Sequence, residues 1–208
     1  VSNNVAVGYT SMLTNTTGAN NTATGTQSLR GNTTGSYNSA FAEGALYTNS
    51  TGSFNVAVGR HALYSNTTAN NNAAVGYQAL TSNTTGAQNT AVGRKAGFGI
   101  TTGSSNTAIG QVALATLSTG GNNTAVGSGA LNASTTSSNN TAVGYGALIA
   151  NTTGTENTGL GGFALYANTT ASYNVAVGYA CLQTNTTGTA NTAVGRSALQ
   201  DNTTATHN

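Results

Sequence analysis

The chain repeats itself every 17 residues, with no insertion or deletion from one end to the other. The anchor is a glycine that closes "AVG" or a close variant of it: Gly8, Gly25, Gly59, Gly76, Gly93, Gly110, Gly127, Gly144, Gly161, Gly178 and Gly195, with Ala42 in the one remaining slot. Four residues before each anchor stands an asparagine in every copy: Asn4, Asn21, Asn38, Asn55, Asn72, Asn89, Asn106, Asn123, Asn140, Asn157, Asn174 and Asn191. Leucine follows each anchor by four residues in all copies but two, where Met12 and Gly97 stand, and threonine follows by nine, from Thr17 to Thr204. A short period kept in strict register specifies a solenoid, in which every repeat is one coil stacked on the last. Residues 1–208 are therefore read as a single array of twelve coils, and the usual relation between length and domain count does not apply.

The coil type follows from the residues within one period. "NTAVG" alternates, placing Asn and Ala on one side of a strand and Thr and Val on the other, and it is rich in β-branched residues. The second segment, typified by "ALTSNTT", carries small and apolar residues and then paired threonines. It is bounded by glycines such as Gly18, Gly35 and Gly52, which accept positive φ at corners. A period this short is too brief for two helices but holds two strands and two corners, so the expectation is an all-β fold, a parallel β-solenoid (β-roll) with two strands per coil. Stacking turns each column into a ladder, and the asparagines are expected to form a buried amide ladder that satisfies its own polar groups.

If Asn and Ala face inward, an apolar stripe points out of the roll: Val7, Val58, Val75, Val92, Ile109, Val126, Val143, Leu160, Val177 and Val194. A stripe of that length marks an interface and predicts a homo-oligomer. The alternative places these residues inside, with the leucines completing an ordinary core. The column beside the stripe (Val5, Thr22, Ser39, Val56, Thr90, Val175) is half-polar, which suits an association surface.

Composition removes many functions. Only 4% of residues are charged, against roughly 25% in ordinary globular proteins. Arg30, Arg60, Arg94, Lys95 and Arg196 are too few for a nucleic-acid footprint, and three of them share the column after the anchor, as a solvated stripe would. The absence of proline and of long apolar runs leaves neither a collagen-like helix nor a membrane-inserting segment. Glu43, Glu156 and Asp201 are too scattered for a carboxylate pair, so no catalytic, cofactor-binding or metal-binding residue is assigned. Calcium-binding rolls need an aspartate in every coil, which this chain lacks. Cys181 takes a column filled elsewhere by Ala62, Ala79 or Ala198 and reads as a buried small residue.

A second asparagine column has two readings. Asn15, Asn32, Asn49, Asn66, Asn83, Asn151, Asn168, Asn185 and Asn202 all lie in Asn-x-Ser/Thr sequons, so they are either a row of N-glycosylation sites or corner residues making local hydrogen bonds. Asn20, Asn122, Asn132 and Asn139 are sequons as well. Ile100, Leu117 and Ser134 interrupt the column, and a changed surface able to bind a partner is expected between about 97 and 137. Regular threonines also raise ice binding; adjacent pairs such as Thr84 and Thr85 point to opposite faces, however, and do not make a two-column array.

"NTAVGYGAL", "NVAVGYACL", "NTAIGQVAL" and "NTAVGRSAL" resemble the head repeats of YadA-like trimeric autotransporter adhesins, and the "NTTG" corner resembles arrays in phage tail fibres. The resemblance spans the chain, although the familiar head repeat is shorter. It implies a left-handed roll, three of them side by side in a fibre outside a cell or on a virion, contacting a host surface receptor or glycan. The chain starts and stops within a repeat, which suggests a fragment or an uncapped filament unit. The resulting expectation is a non-enzymatic extracellular structural fibre, with a self-assembling filament and an ice-binding solenoid as alternatives.

Overall fold

A computed structural model describes residues 3–208, and it is a parallel β-solenoid with no helix among the described residues. Twelve three-residue strands, from β1 (Val5–Val7) and β2 (Thr22–Thr24) to β12 (Thr192–Val194), form one sheet in sequence order. All neighbours pair in parallel, in a register offset by one period: Val5 faces Thr22, Ala6 faces Ala23 and Val7 faces Thr24. The repeat length is therefore the pairing register, and anchor, asparagine and leucine each stack on their own copies.

The two sides of the coil differ, which corrects the expectation of two strands. Only the "NTAVG" side is extended. The opposite side is a run of tight turns: Ser28 N donates to Gly25 O (3.3 Å) and Asn32 N to Leu29 O (3.2 Å). Between these turns the chain still reaches the next coil, through Leu29 N to Ala45 O (2.9 Å), Gly31 N to Tyr47 O (2.8 Å) and Thr33 N to Ser50 O (2.9 Å). Two left-handed columns interrupt the strand: the second residue after the anchor, as at Gln27 (φ 60°) and His61 (58°), and the leucine two residues further on. Leu29 has φ 48°, and its equivalents from Leu46 (52°) to Leu182 (50°) share that left-handed conformation.

Left-handed backbone costs a non-glycine residue roughly 1–2 kcal/mol. Full burial of a leucine side chain is worth about 1.5–3 kcal/mol, so the trade favours the turn whenever the leucine reaches the core. It does so in nearly every coil: Leu29, Leu46, Leu63, Leu80, Leu114, Leu131, Leu148, Leu165 and Leu182 are all fully buried. They pack against two columns of buried alanines, such as Ala57 from the strand and Ala62 from the turn. So small an inner strand residue keeps the two sides close together.

The anchor glycines have a separate geometric reason. Gly25 sits at φ 130°, and a Cβ there would lie 2.6 Å from the carbonyl carbon of Ala42 in the next coil. Close stacking thus requires glycine at this corner, and Ala42 occupies the equivalent slot only at a strained φ of 108°.

Candidate interface

The interior holds the polar scaffold that fixes the surface. In the first asparagine column, Asn21 N donates to Asn4 Oδ1 (2.8 Å) and Asn38 N to Asn21 Oδ1 (2.9 Å), and the pattern runs on to Asn208. Each side-chain amide also donates across the coil, as Asn21 Nδ2 does to Gly35 O (2.9 Å). The column from Asn21 to Asn191 is buried, so every rung presents paired amide groups away from water.

The second asparagine column is interior too. Asn32, Asn49, Asn66, Asn83, Asn151, Asn168 and Asn185 are completely buried. Asn49 Nδ2 donates to Asn32 Oδ1 (2.8 Å) and to Gly52 O (2.9 Å), and that same carbonyl accepts Asn38 Nδ2 from the other column (2.8 Å). This overturns the N-glycosylation reading of the column. Each buried Nδ2 of this column has both hydrogens committed except that of Asn151, which bonds Gly154 O (3.0 Å) alone, and a nitrogen enclosed in the packed roll cannot be reached by a transferase in the folded chain. Of the half-buried end members, Asn202 uses both Nδ2 hydrogens, on Asn185 Oδ1 (3.0 Å) and Ala205 O (3.2 Å), and Asn15 uses one, on Gly18 O (3.0 Å). Of the other sequons, Asn20, Asn122 and Asn139 are exposed.

The interruption of this column is likewise internal, and the expected change of surface is not found there. Ile100, Leu117 and Ser134 are buried. Gly97 stands where other coils place leucine, and a Cβ on it would sit 2.9 Å from Leu80 Cδ2 and 3.1 Å from Ile100 Cδ1. Ile100 therefore fills the space that the missing leucine leaves in its own coil. Ser134 and Ser137, which replace asparagine and glycine together, bond to each other. The break leaves Asn83 Oδ1 buried without a donor, because Ile100 offers none.

The first threonine of each "NTT" corner is also spoken for. Thr33 Oγ1 donates to Ser50 O (2.9 Å) and Thr84 Oγ1 to Thr101 O (3.0 Å), and the same contact recurs from coil to coil. The second threonine of each pair is exposed, in a single column. Cys181 is buried; its Sγ donates to Ala193 O (3.2 Å), and burial raises its thiol pKa.

With Asn and Ala inside, the Thr and Val columns of the strand face point to solvent. Val58, Val75, Val92, Ile109 and Val143 each keep 38–39% of their surface exposed. Val7 and Val194 at the ends are more exposed, while Val126, Leu160 and Val177 are half-buried by their neighbours. Of the two readings of the stripe, the outward one holds. Eleven steps of about 4.8 Å make this face on the order of 50 Å long. A strip of that length needs a width of only about 15 Å to supply the ~800 Å² per partner of a standard interface.

Among the described residues no pocket opens on the rod, and no three metal-ligating side chains gather. Among the described residues, no helix is long and apolar enough to cross a membrane. No family model, no curated protein and no solved structure matches this chain.

Proposed function

We propose that the chain is a structural module of an extracellular fibre, in which several copies associate through their strand faces to form a stiff shaft or head for surface attachment. The observation that supports this reading is the apolar column from Val58 to Val143, unbroken along the sheet and exposed at every position but the half-buried Val126. Shape and chemistry agree: the interior is spent on holding coils in register, and the surface offers repetition rather than a cavity. The trimeric arrangement and the placement on a cell surface or virion come from the resemblance to adhesin heads and tail-fibre arrays. No cofactor or catalytic group enters this function.

The test is the mass of the purified chain by light scattering, beside a Val92→Asp/Ile109→Asp double variant. Both positions are on the exposed face, so the fold is retained and the circular dichroism spectrum is unchanged. The wild-type chain is expected as a discrete oligomer of three copies and the variant as a monomer. A wild-type monomer at micromolar concentration contradicts the reading, and concentration-dependent growth without limit points to the open filament instead.

Ice binding keeps one favourable observation, since the strand face sets a hydroxyl column (Thr90, Thr107, Thr124, Thr141) beside an aliphatic one. Thermal hysteresis of the monomeric variant and of the wild-type chain tests this reading. The fibre reading expects none in either.

A further inference from the structure

The few charges of this chain are not scattered. All five basic residues fall in the columns one, two or five places after the anchor: Arg60, Arg94 and Arg196, then Lys95, then Arg30. These columns share one edge of the roll, as their contacts show. His61 packs on Tyr64 of the same coil (ring centroids 4.8 Å apart), and Lys95 Nζ lies 5.2 Å from the centre of the Phe98 ring. Most of the aromatic side chains stand on this edge as well, whereas the strand face has only Phe41.

In coils two to six the edge is built in a regular order. Arg30, Arg60 and the Arg94–Lys95 pair belong to alternate coils, so cations recur about every 9.6 Å along the axis. Between them are rings: Tyr47 and Tyr64 stack at 4.8 Å with 3° between their planes, and Tyr77 is exposed in the coil after Arg60. The cations are also held. Arg30 donates to Tyr47 Oη (3.0 Å) with its guanidinium over that ring, and Arg60 Nε is 3.1 Å from Glu43 Oε2. Gly44 makes room for the cluster, since a Cβ there would lie 2.8 Å from His61 Cδ2.

We infer that this edge binds an acidic polysaccharide of alternating charged and neutral sugars, laid parallel to the rod axis. Aromatic rings offer flat faces to the C–H surfaces of sugar rings, and guanidinium forks match carboxylates in a bidentate geometry. The two-coil spacing of the cations is close to the step of one disaccharide along an extended polysaccharide, so successive carboxylates meet successive cations without strain. Glu43 accepts hydrogen bonds from hydroxyl groups of the intervening neutral sugar. The inference deepens the attachment reading by naming a ligand class, but it uses a different face from the strand sheet and so does not depend on assembly.

The experiment is binding of the whole chain to size-defined hyaluronan fragments by calorimetry, with dextran as the neutral control and poly-L-glutamate as the charge-only control. Hyaluronan is expected to bind at least about tenfold more tightly than either control. Arg60→Gln and Tyr77→Ala each weaken it about fivefold or more, while the Val92→Asp/Ile109→Asp variant binds as tightly per chain as the wild type. That last comparison separates this site from the interface, because the variant loses assembly and not the edge. Equal binding of poly-L-glutamate, unchanged affinity in Arg60→Gln and Tyr77→Ala, or no binding of hyaluronan overturns the inference.

Discussion

At the scale of single residues, the stack is governed by what fits between two coils. Ala42 is the one anchor position with a side chain, held at φ 108°, where an L residue carries strain of about 1–3 kcal/mol. Ala42→Gly relieves it, less the entropy glycine adds to the unfolded chain. A net gain of about 1 kcal/mol is expected in urea unfolding. Asn55 shows the opposite case: its Oδ1 accepts Asn72 N (2.9 Å) and its Nδ2 donates to Ala69 O (2.8 Å) and Asn38 Oδ1 (3.2 Å). Asn55→Ala strands the buried Asn72 amide and is expected to cost about 1–3 kcal/mol.

His61 adds a small pH dependence. Burial, and then the neighbouring Arg60, lower its pKa below 6.5, with Glu43 opposing. The folded chain then binds that proton less readily than the unfolded one, so stability is full above the ordinary histidine value and falls as pH drops through the lowered one. Melting temperatures at pH 7.5 and 5.0 should show a modest decrease that His61→Gln abolishes. The asparagine column was legible at this scale because an amide present in every coil can pair with its own copies, whereas the choice between the alanine and valine columns as the inward one stayed open until packing placed the alanines inside. The left-handed leucines were not, since nothing in the preferences of leucine announces a positive φ and only the packed core enforces it.

At the scale of the coil, departures from the repeat come in compensating pairs. Gly97 and Ile100 exchange volume, and Ser134 and Ser137 exchange hydrogen bonds. Gly97→Leu alone overfills the coil against Ile100, whereas Ile100→Asn alone restores a donor for Asn83 Oδ1 but opens a void beside Gly97. Each single change is expected to destabilise. The double change returns the coil to the common pattern, with a coupling of about 1–3 kcal/mol in a thermodynamic cycle. Read from the sequence, Ile100, Leu117 and Ser134 suggested an altered surface; the column proves internal because Asx corner residues turn their side chains into the roll. The same inward turn removes the N-glycosylation row, a reading that rested on a local triplet and ignored where the side chain points. The second strand failed for a different reason: the length of the period leaves room for two strands, but the leucine side reaches the next coil by hydrogen bonds from turned backbone and needs no extended segment.

At the scale of the molecule, a polypeptide with 4% charged residues is held together by repetition. The single ion pair among the described residues, Arg60–Glu43, is about half exposed and contributes little. Stability is therefore expected to change by less than about 0.5 kcal/mol between low salt and 0.5 M NaCl, as read from urea midpoints. The solenoid, its period and its parallel register were all readable in advance, because a fixed repeat constrains every coil alike. The gathering of cations and rings on one edge was not, since columns two and five after the anchor become neighbours only once the turns fold back.

The central claim is that two asparagine columns run inside the roll as amide ladders. Hydrogen exchange of the asparagine side-chain amides, followed by NMR on chain labelled with ¹⁵N-asparagine, tests it directly. The account predicts slow exchange for the ladder residues Asn38, Asn55, Asn49 and Asn66 and fast exchange for Asn20, Asn71, Asn122 and Asn139. Uniformly fast exchange, or protection of the second group in place of the first, would contradict it.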